Sequence, residues 1–517
     1  MRRTHRVSRH LFAIALAAAV LALLGAGPAA AGAAPPSGTA APAATATGAA
    51  AVPSELGLLA GSGVAFQDGW YVVRLCGTPY QIGYQRGYLT PQLTDYWLRS
   101  YLGPAGSSYR QLSRTVARRV VWPLIPDWLQ EELRGEAAGL KAAVDAAGPG
   151  FDDQAGLRSE SLADMLWDVV AANDWADQYV YQTLLKGKAR KEAATVLASA
   201  TVPHAAAPGG RCSAFIASGD ATADGDIVMG HNTWWLYNED FMNDVIYDVH
   251  PLAGHAFRYQ GAAGAVWSGE DWYVNDAGLM VTETSLEDAA FDASGTPVFV
   301  RIRTALQFRD SIDGFLEAML TGNNGAYPNE WLVGDAKTGE IASLQLGCEK
   351  HDLVRTFNGF LTSCNYAWGE EFQSEAGRSK PLLKSYNYAR YVRWAQLRPA
   401  WYGHVDAEAG KALLSDTWDV YLEREAGSSR TICGEWENET IGQAWPEGAY
   451  DGKVTTGKMV LDGMKMWARW GHPNGDPFDA DAYMAVNRWW VATHSDFDVL
   501  GLRLFDAMTP QPWTLVD

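Results

Sequence analysis

Cysteine is scarce in this chain, and several familiar chemical signatures are missing. Five cysteines (Cys76, Cys212, Cys348, Cys364 and Cys433) occur among 517 residues. An odd number leaves at least one thiol over even if the others pair. There is no HExxH, no pair of CxxC motifs and no EF-hand loop, so no metal site and no cofactor is implied. The absence of G-x-S-x-G removes the usual serine-lipase elbow. No repeat of fixed period is present. Basic residues are outnumbered, 41 against 60 acidic, for a formal charge of -19. Without a basic stripe, nucleic acid is excluded as a partner. The acidic excess favours solubility and repels anionic membrane surfaces. The first long apolar run, Leu11 to Leu24, follows Arg2, Arg3, Arg6 and Arg9 and precedes small residues at Ala29 to Ala34. That pattern reads as a secretory signal over residues 1–34, and the run is too short for a stable membrane span. Residues 35–55, rich in Ala, Pro, Gly and Thr, read as a flexible leader. The expected location is therefore secreted or extracytoplasmic.

What is present centres on Gly209 to Trp235, GGRCSAFIASGDATADGDIVMGHNTWW. Two β-prone runs flank a segment of turn formers from Gly219 to Gly225, which predicts a hairpin. A turn centred at residues 222–223 sets Cys212 opposite Thr233, with His231 on the diagonal and within reach of a long side chain. Cleavage of the Arg211–Cys212 bond would give Cys212 a free α-amine titrating near pH 8, so that one residue carries both nucleophile and base. Taken alone, Cys212 is equally a buried structural or disulfide-bonded cysteine, and His231 a satisfied core histidine.

Elsewhere the chain divides in two. Residues 56–211 read as mainly helical after a strand at Trp70 to Leu75. The best helix follows Pro126, capped by Asp127, with Leu129, Leu133, Ala137, Leu140 and Val144 on one face. A second spans Ser161 to Leu185, and residues 186–210 read as a loosening before the cut. After Cys212, β-prone runs dominate: Ala256 to Tyr259, Ala265 to Trp267, Trp272 to Val274, Leu279 to Thr284, Trp331 to Gly334 and Ile341 to Leu346. One helical stretch runs from Val298 to Met319. The acidic pairs Glu270–Asp271, Glu287–Asp288 and Glu370–Glu371 read as solvated loop acids rather than a glycosidase's carboxylates. An acidic, exported chain with 22 tryptophans also fits a non-catalytic carbohydrate- or envelope-binding protein, whose indoles would line one exposed face.

The segments CSAF, GHNTWWLYNE, VTETSL, TSCNYAW and GHPNGDPF, in that order, resemble the phospholipase B-like family of N-terminal nucleophile hydrolases, relatives of the penicillin acyltransferases. The resemblance implies an α+β fold, a four-layer αββα sandwich with a mainly helical N-terminal prosegment. It implies that 56–211 is released as a separate chain that stays associated, and that 212–517 is the hydrolase domain with a C-terminal extension. Carried over by motif, Arg211 and Cys212 flank the autocleavage site. Cys212 is the nucleophile, His231 lies beside it and Asn365 stabilises the oxyanion. Trp234, Thr284 and either Arg390 or Arg393, with Arg390 preferred, contact the substrate, an acyl-bearing small molecule or lipid. The implied reaction is acyl ester or amide hydrolysis, with acyl transfer as the alternative. A Cys348–Cys364 disulfide would hold the asparagine loop.

Overall fold

The structure, a computed structural model, describes residues 55–176, 178, 212–237, 242–286, 290–292, 294–376, 385–488 and 508–517. The targeting segment, nearly all of the leader, residues 186–210, Arg211 and Glu287–Asp288 lie outside them. The strands are, in order, β1 (Gly63–Gln67), β2 (Trp70–Gly77), β3 (Ser213–Gly219), β4 (Gly225–Asn232), β5 (Trp234–Leu236), β6 (Val245–Pro251), β7 (Phe257–Gly261), β8 (Trp272–Asn275), β9 (Leu279–Ser285), β10 (Asn329–Asp335), β11 (Glu340–Leu346), β12 (His351–Thr356), β13 (Gly359–Ser363), β14 (Trp418–Asp419), β15 (Arg424–Glu425), β16 (Glu447–Ala449), β17 (Asp451–Thr456), β18 (Met466–Trp470) and β19 (Thr514–Val516). The longer helices are α1 (Pro79–Leu89), α2 (Pro91–Leu102), α3 (Ser108–Val116), α4 (Asp127–Ala147), α5 (Leu162–Asn173), α6 (Val298–Phe308), α7 (Ile312–Leu320), α8 (Tyr386–Trp401) and α9 (Ala407–Leu414).

Nine strands form one sheet in the order β1-β2-β6-β7-β8-β9-β10-β11-β12, and six form another in the order β13-β3-β4-β17-β18-β19. Pairing is antiparallel throughout except between β2 and β6, which run parallel. Side chains alternate between the two faces of a strand, and the apolar residues follow that rule. Ala214 and Ile216 of β3 join Trp272, Val274, Met280 and Leu332 of the large sheet in a core between the sheets. Their neighbours Phe215 and Ala217 turn the other way, onto Trp394 and Leu397 of α8 and Leu413 and Leu414 of α9. On the large sheet, Val245, Tyr247, Val249 and Tyr273 face away from the small sheet and pack with α1 to α7. Among the described residues no helix is long and apolar enough to cross a membrane.

The hairpin has the expected register: Ser213 pairs with Asn232 and Ala214 with His231, which sets Cys212 opposite Thr233. Other expectations need correction. Asp127 occupies the first helical position of α4 and makes no cap; Pro126 is the N-cap. Ala265 to Trp267 is not a strand, because Gly264 at φ 89° turns the chain and Asn173 holds it by accepting from Val266 N–H and Trp267 Nε1. The stretch 298–319 breaks into α6 and α7, where Ser311 caps the second helix by accepting from Gly314 N–H.

The residues before Cys212 are woven into this body. Strand β2 pairs with β6, and α1 crosses α4 at backbone contact. A Cβ on Gly83 or Gly87 would collide with the carbonyl of Glu132 or Glu136, and one on Gly135 or Gly139 with that of Tyr80 or Tyr84. Around this crossing Arg86 donates to Glu132 at 2.6 Å and Glu136 at 3.4 Å. Glu132 also receives Arg303 of α6 at 2.6 Å. Burial pushes the Glu136 carboxyl up to about 8 despite Arg86. Burial likewise raises Asp95 to about 7, although its carboxylate accepts the Ala155 N–H.

Two outcomes follow. Gly83→Ala must prise α1 from α4 and should cost about 3 kcal/mol in urea unfolding; a loss under about 1 kcal/mol would show that the helices slide apart freely. Because folding raises the pKa of Glu136 and Asp95 above their unfolded values, the folded chain binds more protons than the unfolded one. Their contribution is full below pH 4 and is lost as pH rises through about 7 to 8. Glu136→Gln should therefore flatten the fall in melting temperature between pH 5 and pH 8 seen by calorimetry in the wild type.

Candidate active site

Cys212 immediately precedes β3, and groups from both sheets and α8 meet around it. Behind it, Arg390 of α8 donates from Nη1 to the Cys212 carbonyl at 2.5 Å and to Ser213 Oγ at 3.2 Å. Its Nη2 donates to Asn365 Oδ1 at 3.1 Å and Asn387 Oδ1 at 2.7 Å. The guanidinium also lies 4.4 Å from the centre of the Trp234 ring. Arg393 points elsewhere, pairing with Asp416 at 2.6 Å, so Arg390 is the arginine that the fold brings to Cys212. Trp234 is buried, and its indole occupies space left by Gly434, where any Cβ would overlap the ring.

Asn365 follows β13 and takes φ 60°, a left-handed conformation that asparagine tolerates better than most residues. Its Nδ2 donates to Ser285 O at 2.8 Å, and its Oδ1 is held by Arg390. Its backbone N–H donates to Thr284 Oγ1 at 2.9 Å. The hydroxyls of Thr284 and Ser363 lie 2.6 Å apart, and Ser363 donates to Glu330 at 2.8 Å. The single Ser363 proton is thus committed to Glu330, so Thr284 must donate to Ser363. The Thr284 hydroxyl thus fixes the Asn365 loop.

On the thiol side stand His231 and Asp271. The sulfur, an imidazole nitrogen and an Asp271 oxygen all lie within 4.8 Å of one another, and His231 Nε2 is 3.7 Å from Asp271 Oδ2. The imidazole has no side-chain hydrogen-bond partner, and its backbone contact is with Glu283. Burial, reinforced by the charge of Lys453, holds His231 well below its ordinary pKa and hence neutral. Burial, then the charges of Asp271 and Glu283, push the Cys212 thiol well up, against the opposing pull of the Trp234 N–H and Lys453. Burial raises Asp271 to about 7, against its hydrogen bond with Glu283, and burial together with the Asp271 charge also pushes Glu283 and Glu270 well up. Lys453, beside His231 on β17, donates to Thr233 Oγ1 at 2.6 Å, Gln260 Oε1 at 2.5 Å, the Glu270 carbonyl at 3.0 Å and Asp451 Oδ2 at 3.1 Å.

The reading of Glu270–Asp271 as solvated loop acids is wrong: they are 5% and 1% exposed. Asp271 at φ 63° is turned in by the loop before β8, whose carbonyl receives Thr282 Oγ1 at 2.6 Å. Glu370 and Glu371 are exposed as expected. All five cysteines are free. The Cys348–Cys364 bridge does not form, because the Cys364 sulfur faces the carbonyl of Asn387 at 3.7 Å and that of Cys348 faces Asn324 at 3.5 Å. Among the described residues Trp70, Trp97, Trp234, Trp267, Trp272, Trp331 and Trp394 are fully buried, and no described tryptophan is among the exposed large hydrophobics.

No family model matches the chain. It is 26% identical over 304 residues to an uncharacterized protein of Archaeoglobus fulgidus, covering 55% of this chain and 44% of that protein. It is 26% identical over 145 residues to phospholipase B-like 2 of Rattus norvegicus, covering 25% of this chain and 24% of that protein. The corresponding protein of Mus musculus is 28% identical over 129 residues, 22% of each chain. The matched part thus spans less than half the length of these relatives. Among solved structures, a crystal structure of a conjugated bile acid hydrolase variant from Clostridium perfringens covers 50% of this chain and 88% of its own, at 14% identity and a TM-score of 0.30, a superposition too loose to argue from. The chain is therefore similar in sequence to phospholipase B-like proteins.

In the uncleaved chain, differential alkylation read by mass spectrometry should find five reduced thiols. Cys76 and then Cys348, held up at about 11 by burial and nearby carboxylates, should react under native conditions. Cys212, Cys364 and Cys433, all buried, should react only after unfolding. A disulfide-linked Cys348 peptide would contradict the structure.

Proposed function

We propose that the chain is a secreted, self-processing hydrolase with an N-terminal cysteine nucleophile, phospholipase B-like, cleaving an acyl ester or amide bond of a small molecule or lipid. The observation that carries this reading is the placement of Cys212 at the start of a central strand. Its carbonyl is clamped by Arg390, and its sulfur faces His231 and Asp271. The two packed sheets with helices on both outer faces suit the αββα architecture of such enzymes.

In the precursor, the Cys212 thiol attacks the Arg211 carbonyl carbon. The C–N bond breaks, the Cys212 nitrogen takes a proton to become the α-amine, and water hydrolyses the thioester to an Arg211 carboxylate and a free thiol. Burial keeps the thiol protonated, so a base is needed at the moment of attack. In the mature enzyme the α-amine accepts the thiol proton as sulfur attacks the acyl carbon. Asn365 has one Nδ2 proton committed to Ser285 and a second available for the oxyanion. Neutral His231 and Asp271 orient the amine or the hydrolytic water. Arg390 holds both the nucleophile's carbonyl and the Asn365 amide, which fixes their separation. The parallel β2–β6 pair and the buried Glu132–Arg303 ion pair favour an N-terminal segment that stays bound after the cut.

Intact mass and N-terminal sequencing test the first stage: the wild type should yield a chain of residues 212–517 beginning Cys-Ser-Ala-Phe, absent from Cys212→Ala. A wild type that remains one chain under acidic and neutral conditions would sink self-processing. For the second stage, Asn365→Ala introduced into processed enzyme should lower kcat on an acyl substrate about 10²- to 10³-fold, the usual effect of losing one oxyanion donor. An unchanged kcat would remove Asn365 from that role.

A further inference from the structure

The thiol side of the site holds more buried acid than a cysteine nucleophile needs. Glu270, Asp271, Glu283 and Asp451 are all within 5% of full burial, yet Lys453 is the cation hydrogen-bonded among them. Asp271 and Glu283 bond each other and Glu283 also reaches Tyr327, which leaves one oxygen of Glu270 and at least one nitrogen of His231 without a hydrogen-bond partner. Buried polar groups left this way are costly, and such a group asks for a partner. A cation would supply one.

We propose that Cys212, His231 and Asp271 form a binding site for a zinc-class divalent cation. The donors are one sulfur, one imidazole nitrogen and one carboxylate oxygen, a set that suits zinc and its analogue cobalt; magnesium and calcium prefer all-oxygen shells. Bonds of about 2.0 to 2.3 Å in a tetrahedron separate ligand atoms by roughly 3.3 to 3.8 Å. His231 Nε2 and Asp271 Oδ2 already stand 3.7 Å apart, and the sulfur, within 4.8 Å of both, need move by only about 1 Å. Binding exchanges the thiol proton for the metal and releases it to solvent, so one thiolate and one carboxylate neutralise the dication. The buried set then carries no net charge. Glu283, beside Asp271, is placed to orient the aspartate or fill the fourth position. An occupied site leaves the sulfur unable to attack a carbonyl. The donors are present whether or not Cys212 is a nucleophile, so the proposal stands apart from the processing mechanism. The site is closed to solvent, and loading therefore waits on local opening.

The test uses full-length protein stripped with chelator and equilibrated overnight with equimolar cobalt. A thiolate-to-cobalt charge-transfer band at 1:1 stoichiometry, displaced by zinc, is expected. Cys212→Ser should abolish it and Cys76→Ser should leave it intact. His231→Gln and Asp271→Asn should each weaken binding by about 100-fold or more. In case a variant fails to fold, zinc-edge X-ray absorption of the wild type alone should show one sulfur among nitrogen and oxygen neighbours. No band in the wild type, a band that survives in folded Cys212→Ser, or a sulfur-free zinc shell would overturn the site. None of these results alters the mass of the cleavage products, so failure here is distinguishable from failure of self-processing.

Discussion

The Arg390 guanidinium is the contact on which the site's geometry depends. One planar group reaches the carbonyl of Cys212, the hydroxyl of Ser213 and the amide oxygens of Asn365 and Asn387, while its face lies on Trp234. A guanidinium has fixed donor directions, so it sets the distance between β3, the turn after β13 and the first turns of α8. The helix is held in turn by Trp394 and Leu397 against the outer face of the small sheet. Positioning of Cys212 thus rests on ordinary core packing some residues away. Gly434 belongs to the same arrangement, since it admits the indole on which the guanidinium rests.

Behind Asn365 runs a directed series of donors ending on Glu330. That carboxylate also accepts from Ser343 at 2.7 Å, Gln345 at 3.1 Å and Trp368 at 2.6 Å. It is fully served; Glu283, one strand away, instead meets Asp271 and Tyr327. The two acids are equally buried and differ in their neighbours: Glu330 sits among donors, Glu283 against a second carboxyl. One stiffens a loop; the other is held toward its neutral form beside Asp271.

Much of this was legible in the residues, and the limits are physical. The register of the β3–β4 hairpin follows from its turn formers and the period of two, which together place His231 diagonal to Cys212. The α4 face is readable because its apolar residues repeat at helical spacing, while the cap is not, since Pro126 already fixes the entry and Asp127 falls one position late. Asp271 escaped because Gly-Glu-Asp in a loop ordinarily marks solvated chain, and only the left-handed turn at that residue carries its carboxylate inward. Lys453 and Glu283 are brought in by strand pairing; nothing in its local sequence marks Lys453, and Glu283 was passed over within the VTETSL segment for its neighbour Thr284. Thr284 and Asn365 were found by motif, but the direction of the Thr284 proton depends on Ser363 and Glu330, which sequence does not place together.

The parallel pair β2–β6 has a consequence for how the chain folds. Its partners lie 174 residues apart, as at Arg74 and Asp248, and every strand of the small sheet except β13, β17, β18 and β19 lies in sequence between them. During synthesis β2 must stay unpaired on its β6 side until residue 251 has emerged, long after α1 and α4 are able to meet. Loop closure over such a span is entropically slow. The early helices, packed against β2 through Val73, Leu75, Ile82 and Leu133, then act as a cover for that waiting edge, and the segment before Cys212 becomes the template onto which the large sheet grows.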